Sequence, residues 1–353
     1  MFYFLLFLEK MKKSLFFIIL IFLLIFILQG IYFPSNINNE GKIFLINKGE
    51  NVFQIARNLD KEELIKNHLF FELYVLTTGK IRNLQAGEYL INSSLNVKEI
   101  VQKIVGGNSL KEREITIIEG WDMRDIAWYF ENEGMFQAEE LMEMAGFPTI
   151  NYSSVVEVPE LKDYSQEFNF LKDKSKSVGL EGYLFPDTYR IYRGDGIDEI
   201  LSKILGNFDK KLDQDLRDEI KRQNRSIFDI ITMASMIEEE VISYEEKELV
   251  SGVLWKREKS NIPLQVDSTI NYITGKKGFN ILKEEKKIDS LFNTYKYIGL
   301  PLGPICNPGL ESIKASIYPE ESNFWYYLST PEGETLFSGT LEEHNSKKRK
   351  YLN

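Results

Sequence analysis

Two residue types are nearly missing from this chain of 353 residues. It has one cysteine, Cys306, and two histidines, His68 and His344. A single cysteine excludes an intramolecular disulfide framework and any cysteine-built zinc cluster. Two histidines far apart and in unlike contexts argue against a His-rich metal site or an ordinary Ser/His/Asp triad. Basic residues are in the minority, 43 against 53 acidic, for a formal net charge of −10. A phosphate-tracking nucleic-acid binder needs a basic face, so no nucleic-acid partner is expected. Apolar matter is plentiful: hydrophobic residues are 43% of the chain and aromatics 13%, with 24 Phe and 18 Tyr. That is ample for packed cores and excludes wholesale disorder. At roughly 150 residues per domain, the length allows about two domains plus an appendage. With thiols and imidazoles scarce, polar chemistry falls to carboxylates, and neither a cofactor nor a metal is called for.

The long apolar run is LFFIILIFLLIFILQGIYF, residues 15–33, with one polar side chain, Gln29. At about 1.5 Å per residue it reaches roughly 28 Å, close to the hydrocarbon thickness of a bilayer. A signal peptide has a shorter apolar region and a small-residue cleavage site. The sequence around Gln29-Gly30-Ile31-Tyr32-Phe33-Pro34 offers no such site, so an uncleaved anchor is expected. Lys10, Lys12 and Lys13 precede it and no basic cluster follows closely. The positive-inside bias then puts residues 1–14 in the cytoplasm and everything after the anchor outside. Met11-Lys12-Lys13 reads as a natural start, which would make the first ten residues an extension.

Residues 34–41 form a polar linker. Beyond it, Lys42-Ile43-Phe44-Leu45-Ile46 reads as a strand, Lys48-Gly49 as a turn, and Asn51 as the cap of a helix carrying Phe53, Ile55, Ala56 and Leu59. The same order returns at Glu114-Ile115-Thr116-Ile117-Ile118, Glu119-Gly120 and the Asp122/Asp125 start. Gly49 aligns with Gly120, Ile55 with Ile126 and Ala56 with Ala127. A strand-plus-helix half-unit also recurs between residues 86–107 and 181–207. Either an old duplication or common strand–Gly–helix grammar accounts for this. Residues 147–178 are polar and irregular and read as a surface insertion. NFWYYLST and ETLFSGT, joined by Pro331-Glu332-Gly333, read as a hairpin. Asn307-Pro308-Gly309 reads as an N-cap with proline at the first helical position.

The most informative helix is SIFDIITMASMIEEEV, residues 226–241, opened by a Ser226/Asp229 capping box. On a wheel of about 100° per residue, Ile230, Ile231, Ala234, Ile237 and Val241 lie within about 80° of Ile227. Glu238 lies about 20° from Ile227, inside the stripe, and Glu239 and Glu240 fall outside it. A carboxylate there loses hydration, and a rise of roughly two units would leave it partly protonated near neutral pH, as a general acid must be. The competing reading is a helix-end glutamate that turns to water or pairs with Arg or Lys.

Four ordered segments then carry a resemblance: LEGYLFPDTY (180–189), MASMIEEE (233–240), IPLQVDSTINYITG (262–275) and NTYKYIGLPLGPICNPG (293–309). They resemble the YceG-like family of membrane-anchored endolytic murein transglycosylases, and the likeness covers most of the chain, including the anchor and the Ile118-Glu119-Gly120-Trp121 turn. It implies an α+β protein: a transmembrane helix, a small LysM-like wall-binding module over 42–110, and a mixed catalytic domain over 111–353. The family's Ala-Ser-x-x-Glu pattern falls on Ala234, Ser235 and Glu238, the glutamate the wheel selects. As the resemblance implies, Glu238 would protonate the glycosidic oxygen between N-acetylmuramic acid and N-acetylglucosamine. It would then take the proton of the muramic acid C6 hydroxyl, leaving a 1,6-anhydro end and ending strand elongation. Glu181, Tyr189, Gln265, Asp267, Thr269, Asn293, Tyr295 and Asn307 are the expected substrate contacts. Tyr183, Tyr272 and Asp187 are further candidates. Glycan strands and membrane-bound peptidoglycan synthases are the implied partners, at the cell membrane. Three departures are Lys256-Arg257 for Asn-Arg, Asp267-Ser268-Thr269 for Asp-Pro-Thr, and Gly299-Leu300-Pro301-Leu302-Gly303 for Gly-Leu-Pro-Pro-Gly. The alternatives are a non-catalytic wall-binding scaffold and a two-carboxylate muramidase that hydrolyses the same bond.

Overall fold

The structure is a computed structural model that describes residues 2–35, 41–107, 112–155, 161–192, 195–278, 281–330 and 333–352, with side chains from Phe17 onward. It is mixed α+β, as expected, with short two-stranded sheets among many helices. The chain divides into two compact units, residues 1–113 with 190–195, and residues 114–189 with 196–353.

The first unit holds α1 (Phe2–Tyr32), β1 (Gly41–Ile46), α2 (Val52–Lys61), α3 (His68–Thr77), β2 (Gly87–Asn92) and α4 (Val97–Val105). β1 and β2 pair antiparallel, with Phe44 opposite Tyr89. Along β1, Phe44 and Ile46 point inward and Ile43 and Leu45 outward, the period-2 alternation of a sheet with one face covered. The inward residues meet Ile55, Leu59, Phe71, Val75, Ile100 and Ile104 in one core. α2 starts where expected: the Asn51 carboxamide accepts the Phe53 and Gln54 N–H groups, and Gln54 reaches back to the Asn51 N–H.

The expected anchor, residues 15–33, lies mostly on α1. Among the described residues no helix is long and apolar enough to cross a membrane. Within α1 the side chains from Phe17 to Phe26 are all exposed, whereas Ile27 and Ile31 pack on the core of the unit. The expected linker, residues 34–41, falls largely outside the described residues.

Strands β3 (Glu112–Thr116) and β4 (Thr188–Tyr192) pair with each other. The second unit continues with α5 (Met123–Asn132), α6 (Ala138–Ala145), α7 (Ile197–Lys211), α8 (Gln214–Arg222), α9 (Ile227–Glu238), α10 (Tyr244–Lys259), α11 (Asp267–Thr274), α12 (Leu310–Ile317), β5 (Tyr326–Ser329), β6 (Thr335–Ser338) and α13 (Leu341–Tyr351). Strand, two helices, strand, helix thus occurs twice in chain order. α9 is enclosed around its whole circumference: every residue from Ile230 to Ile237 is buried, the polar Thr232 and Ser235 included. Such a helix belongs in the interior, and α10 and α12 pack against it. The expected hairpin is β5–β6, antiparallel, with Tyr327 opposite Phe337.

Two local expectations are corrected. Residues 147–178 do more than cover the surface: Tyr164, Phe170 and Leu171 are buried, and Phe170 stacks on Phe208 at 4.7 Å between ring centroids. Three large apolar side chains in a polar stretch are enough to tie it to the core. Asn307 does not cap α12, whose N-cap is Gly309. The Asn307 side chain turns inward instead, accepting the Leu184 N–H at 2.8 Å and donating to the Trp121 carbonyl at 2.9 Å.

Candidate active site

Glu238 is the last residue of α9. Its side chain is 9% exposed, on the side the wheel indicated. The stripe argument implied a desolvated carboxylate; the structure shows the pairing with a lysine that the competing reading named. The Lys247 ammonium of α10 lies 3.2 Å from Oε1, and the Gly309 N–H donates to Oε2 at 2.9 Å. Lys247 is itself 3% exposed, so this is an interior ion pair. A helix C-terminus carries partial negative charge and disfavours carboxylates by about 0.3–1 kcal/mol each. Three successive glutamates at the end of α9 work against that dipole, and Lys247 supplies the local compensation.

The loop that brings Gly309 is stapled to α9 one turn before Glu238. Ser235 Oγ accepts the Ile305 N–H at 3.0 Å, and the Cys306 thiol donates to the Ser235 carbonyl at 3.3 Å. The same loop is laced to the Ile118–Trp121 turn: the Gly120 N–H donates to the Asn307 carbonyl at 3.1 Å, and the Asn307 N–H to the Trp121 carbonyl at 2.9 Å. A β-carbon on Gly309 would sit 2.0 Å from Glu119 Oε1, and one on Gly120, where φ is +80°, would sit 2.8 Å from Glu239 Oε1. Both glycines therefore clear room for carboxylates. Glu119, Glu238, Glu239 and Lys247 form one cluster, three carboxylates to one ammonium. Partial burial, then the Glu238 charge, push Glu239 up to about 7, although its outer edge stays exposed. Burial, then Glu238, also raise Glu119. Glu239 and Glu119 are therefore the members of the cluster whose carboxyl groups are pushed upward.

Glu240 faces the other side of the helix end. Its Oε1 accepts the Ser268 hydroxyl at 3.0 Å, Tyr327 also donates to it, and burial pushes it up to about 7. Near it stands a second polar group. Asp267 accepts from Lys286 at 2.8 Å and from the Tyr295 hydroxyl, and exposed Gln265 accepts from Arg257 Nη2 at 3.0 Å. Gln265 takes φ +57°, and its N–H donates to the Thr294 carbonyl. Lys256 and Arg257, a departure from the family pattern, are engaged with backbone carbonyls of Ser322 and of Pro263 and Trp325.

The expected contacts therefore separate into two groups. Gln265, Asp267 and Tyr295 stand together with solvent access. Glu181, Tyr189, Thr269, Asn293 and Asn307 are interior, and their polar atoms are already engaged. Glu181 accepts from the Met123 N–H, the Tyr272 hydroxyl and Asn307 Nδ2. The Tyr189 hydroxyl donates to the Phe185 carbonyl, and Thr269 Oγ1 to the Val266 carbonyl. Asn293 Nδ2 donates to the Lys286 and Ile288 carbonyls, and its oxygen accepts the Tyr295 N–H. These five hold the backbone that presents the others. Tyr183 and Tyr272 are buried as well. Asp187 takes its turn-capping role, accepting the Thr188 N–H at 2.8 Å together with Asn207 and Lys211. His344 stacks on Tyr326, and His68 bonds Glu72.

The sequence reading passed over Lys247, Glu119 as a side chain, and the Gly309 N–H. One signal was available: Lys247 shares a helix face with Val250 and Leu254, three and seven residues on, so a wheel of α10 puts a lysine among buried residues.

Glu181 predicts a pH dependence of stability. Burial, then Asp122, push it up to about 8. The native state therefore keeps a proton that the unfolded chain releases near pH 4–5. The sign follows: this contribution is fully present below the unfolded value and is lost as pH rises through about 8. The unfolding free energy from urea titrations should fall between pH 6 and pH 9 by an amount on the order of 3 kcal/mol, and Glu181→Leu should flatten that slope. A stability that rises over the same window contradicts the assignment.

Residues 44–350 match the YceG-like family. The chain is 32% identical to the endolytic murein transglycosylase of Bacillus subtilis over 87% of this chain and 84% of that protein. To the endolytic murein transglycosylase of Streptococcus pneumoniae it is 29% identical over 91% of this chain, and it spans 60% of that longer relative. A crystal structure of a YceG-like protein from Listeria monocytogenes is also similar, at 29% identity and a TM-score of 0.57, over 88% of this chain and 100% of that one.

Proposed function

The chain belongs to the YceG-like family, and from that premise we propose that it is an endolytic murein transglycosylase, a carbon–oxygen lyase acting on peptidoglycan. It cuts the bond from N-acetylmuramic acid to N-acetylglucosamine inside glycan strands, leaves a 1,6-anhydro end, and so ends strand growth. Its relatives of that name support the activity. The observation that carries the assignment of residues is the fixed position of Glu238, clamped by Lys247 and the Gly309 N–H beside Glu119 and Glu239.

Protonated Glu238 gives its proton to the glycosidic oxygen as the C1–O bond breaks. The C6 hydroxyl of the same muramic acid closes on C1, and its proton returns to Glu238 as the C1–O6 bond forms. No water is consumed. One carboxylate suffices because the nucleophile is intramolecular, and proton transfer from a positioned side chain contributes about 10²–10⁴ in rate. Lys247 holds the carboxylate through both steps. Gln265, Asp267 and Tyr295, which keep solvent access, are the side chains placed to hydrogen-bond a strand.

Residues 15–33 act as a single-pass anchor with the N-terminus in the cytoplasm. Support comes from three lysines before the run and from the exposed side chains of Phe17 to Phe26, such as Phe22 at 68% exposure. The β1–α2–α3–β2 unit serves as the LysM-like wall-binding module, and membrane-bound peptidoglycan synthases are its neighbours. Mass spectrometry of purified glycan strands incubated with the protein tests the reaction. Anhydro ends are expected. Free reducing ends would make the enzyme a hydrolase, and uncut strands would leave a binding scaffold.

A further inference from the structure

Helix α3 is apolar on both faces. Phe70, Phe71, Tyr74 and Val75 enter the core of the first unit. Leu69, Leu73 and Leu76 fall within about 60° of one another on the outer side, and they are 57%, 36% and 46% exposed. The polar side chains flanking this stripe satisfy each other, with His68 Nδ1 3.0 Å from Glu72 Oε1. The short 3₁₀ turn that follows, Lys80–Asn83, continues the pattern with exposed Ile81 between Lys80 and Arg82. An unpaired leucine stripe ending in basic residues is the composition of a helix lying in a lipid interface.

The packing of α1 against α3 identifies the occupant. The Phe26 and Phe70 rings meet edge-on at 5.5 Å, and a β-carbon on Gly30 would lie 2.4 Å from the Phe70 ring. Glycine is what lets the two helices approach so closely. Ile27 and Ile31 already pack on the core of the unit, whereas Phe17 to Phe26 are exposed. A helix fastened at Phe26 therefore lies at the surface of any bilayer that the exposed run enters, where interfacial helices sit.

We propose that the Leu69/Leu73/Leu76 face of α3, continued by Ile81 and flanked by Lys80 and Arg82, docks the first unit on an anionic phospholipid surface. The proposal rests on the reading of residues 15–33 as an anchor. Docking would hold the β1–α2–α3–β2 unit flush with the bilayer.

The test uses the full chain in phosphatidylglycerol vesicles, with a fluorescent probe on Leu73→Cys or, separately, on Leu24→Cys. The native Cys306 is 1% exposed and stays unlabelled. Quenching by brominated lipid is compared with quenching by aqueous iodide. Both probes are expected to be quenched several-fold more by the lipid. A lipid-quenched Leu24 probe with an iodide-quenched Leu73 probe overturns the docking and leaves the anchor standing. A Leu24 probe in water overturns the anchor reading itself. Lys80→Glu combined with Arg82→Glu should move the Leu73 probe toward iodide access, and no movement would overturn the anionic character of the surface.

Discussion

Glu238→Gln should lower turnover by about 10²–10⁴ while leaving KM for glycan strands nearly unchanged. The amide fills the same space but neither delivers nor retakes a proton. Its effect on folding is smaller and has a definite source. Glu238 accepts from two donors, Lys247 and the Gly309 N–H, whereas an amide offers one oxygen and presents a donor on the other side. One buried donor is left unmatched, which costs about 1–3 kcal/mol. Glycan digestion and urea unfolding on the same preparation separate the two effects. A folded variant that cuts at the wild-type rate would remove Glu238 from the mechanism.

Lys247→Met should cost about 3–5 kcal/mol in unfolding free energy. The aliphatic part of the lysine is replaced, so packing is kept, but the Glu238 carboxylate is left without its ammonium in a site with little water. Removing one member of an interior pair is far more damaging than removing both, because the survivor's lost hydration is no longer compensated. The double variant Lys247→Met/Glu238→Leu should accordingly recover much of the stability. A double-variant cycle by urea denaturation measures this, and strict additivity of the two losses would mean that the pair does not interact.

Much of the local structure was legible in the sequence because its causes are local. The capping residues Asn51, Asp122 and Ser226 open helices where the pattern put them. The hairpin β5–β6 follows from two short aromatic runs around a turn. The position of Glu238 on its helix is a matter of angle alone. What surrounds that glutamate was not legible in the same way. Gly309 lies 71 residues further along the chain, and only tertiary packing brings its N–H to the carboxylate. The motif residues show the same divide. Asp267 and Thr269 belong to one short segment, yet Asp267 keeps solvent access while Thr269 is fully enclosed. A motif records which residues matter together. Burial decides which of them touch a ligand and which hold the others in place.

Ser235 joins α9 to the 305–309 loop one turn before Glu238, so the carboxylate and its backbone donor ride on a single clamped body. Thermal jostling carries both in the same direction, and their separation stays constant while each drifts relative to the rest of the molecule. Warming should therefore leave the reactive arrangement unaltered until the clamp itself gives way, and performance would end abruptly instead of fading.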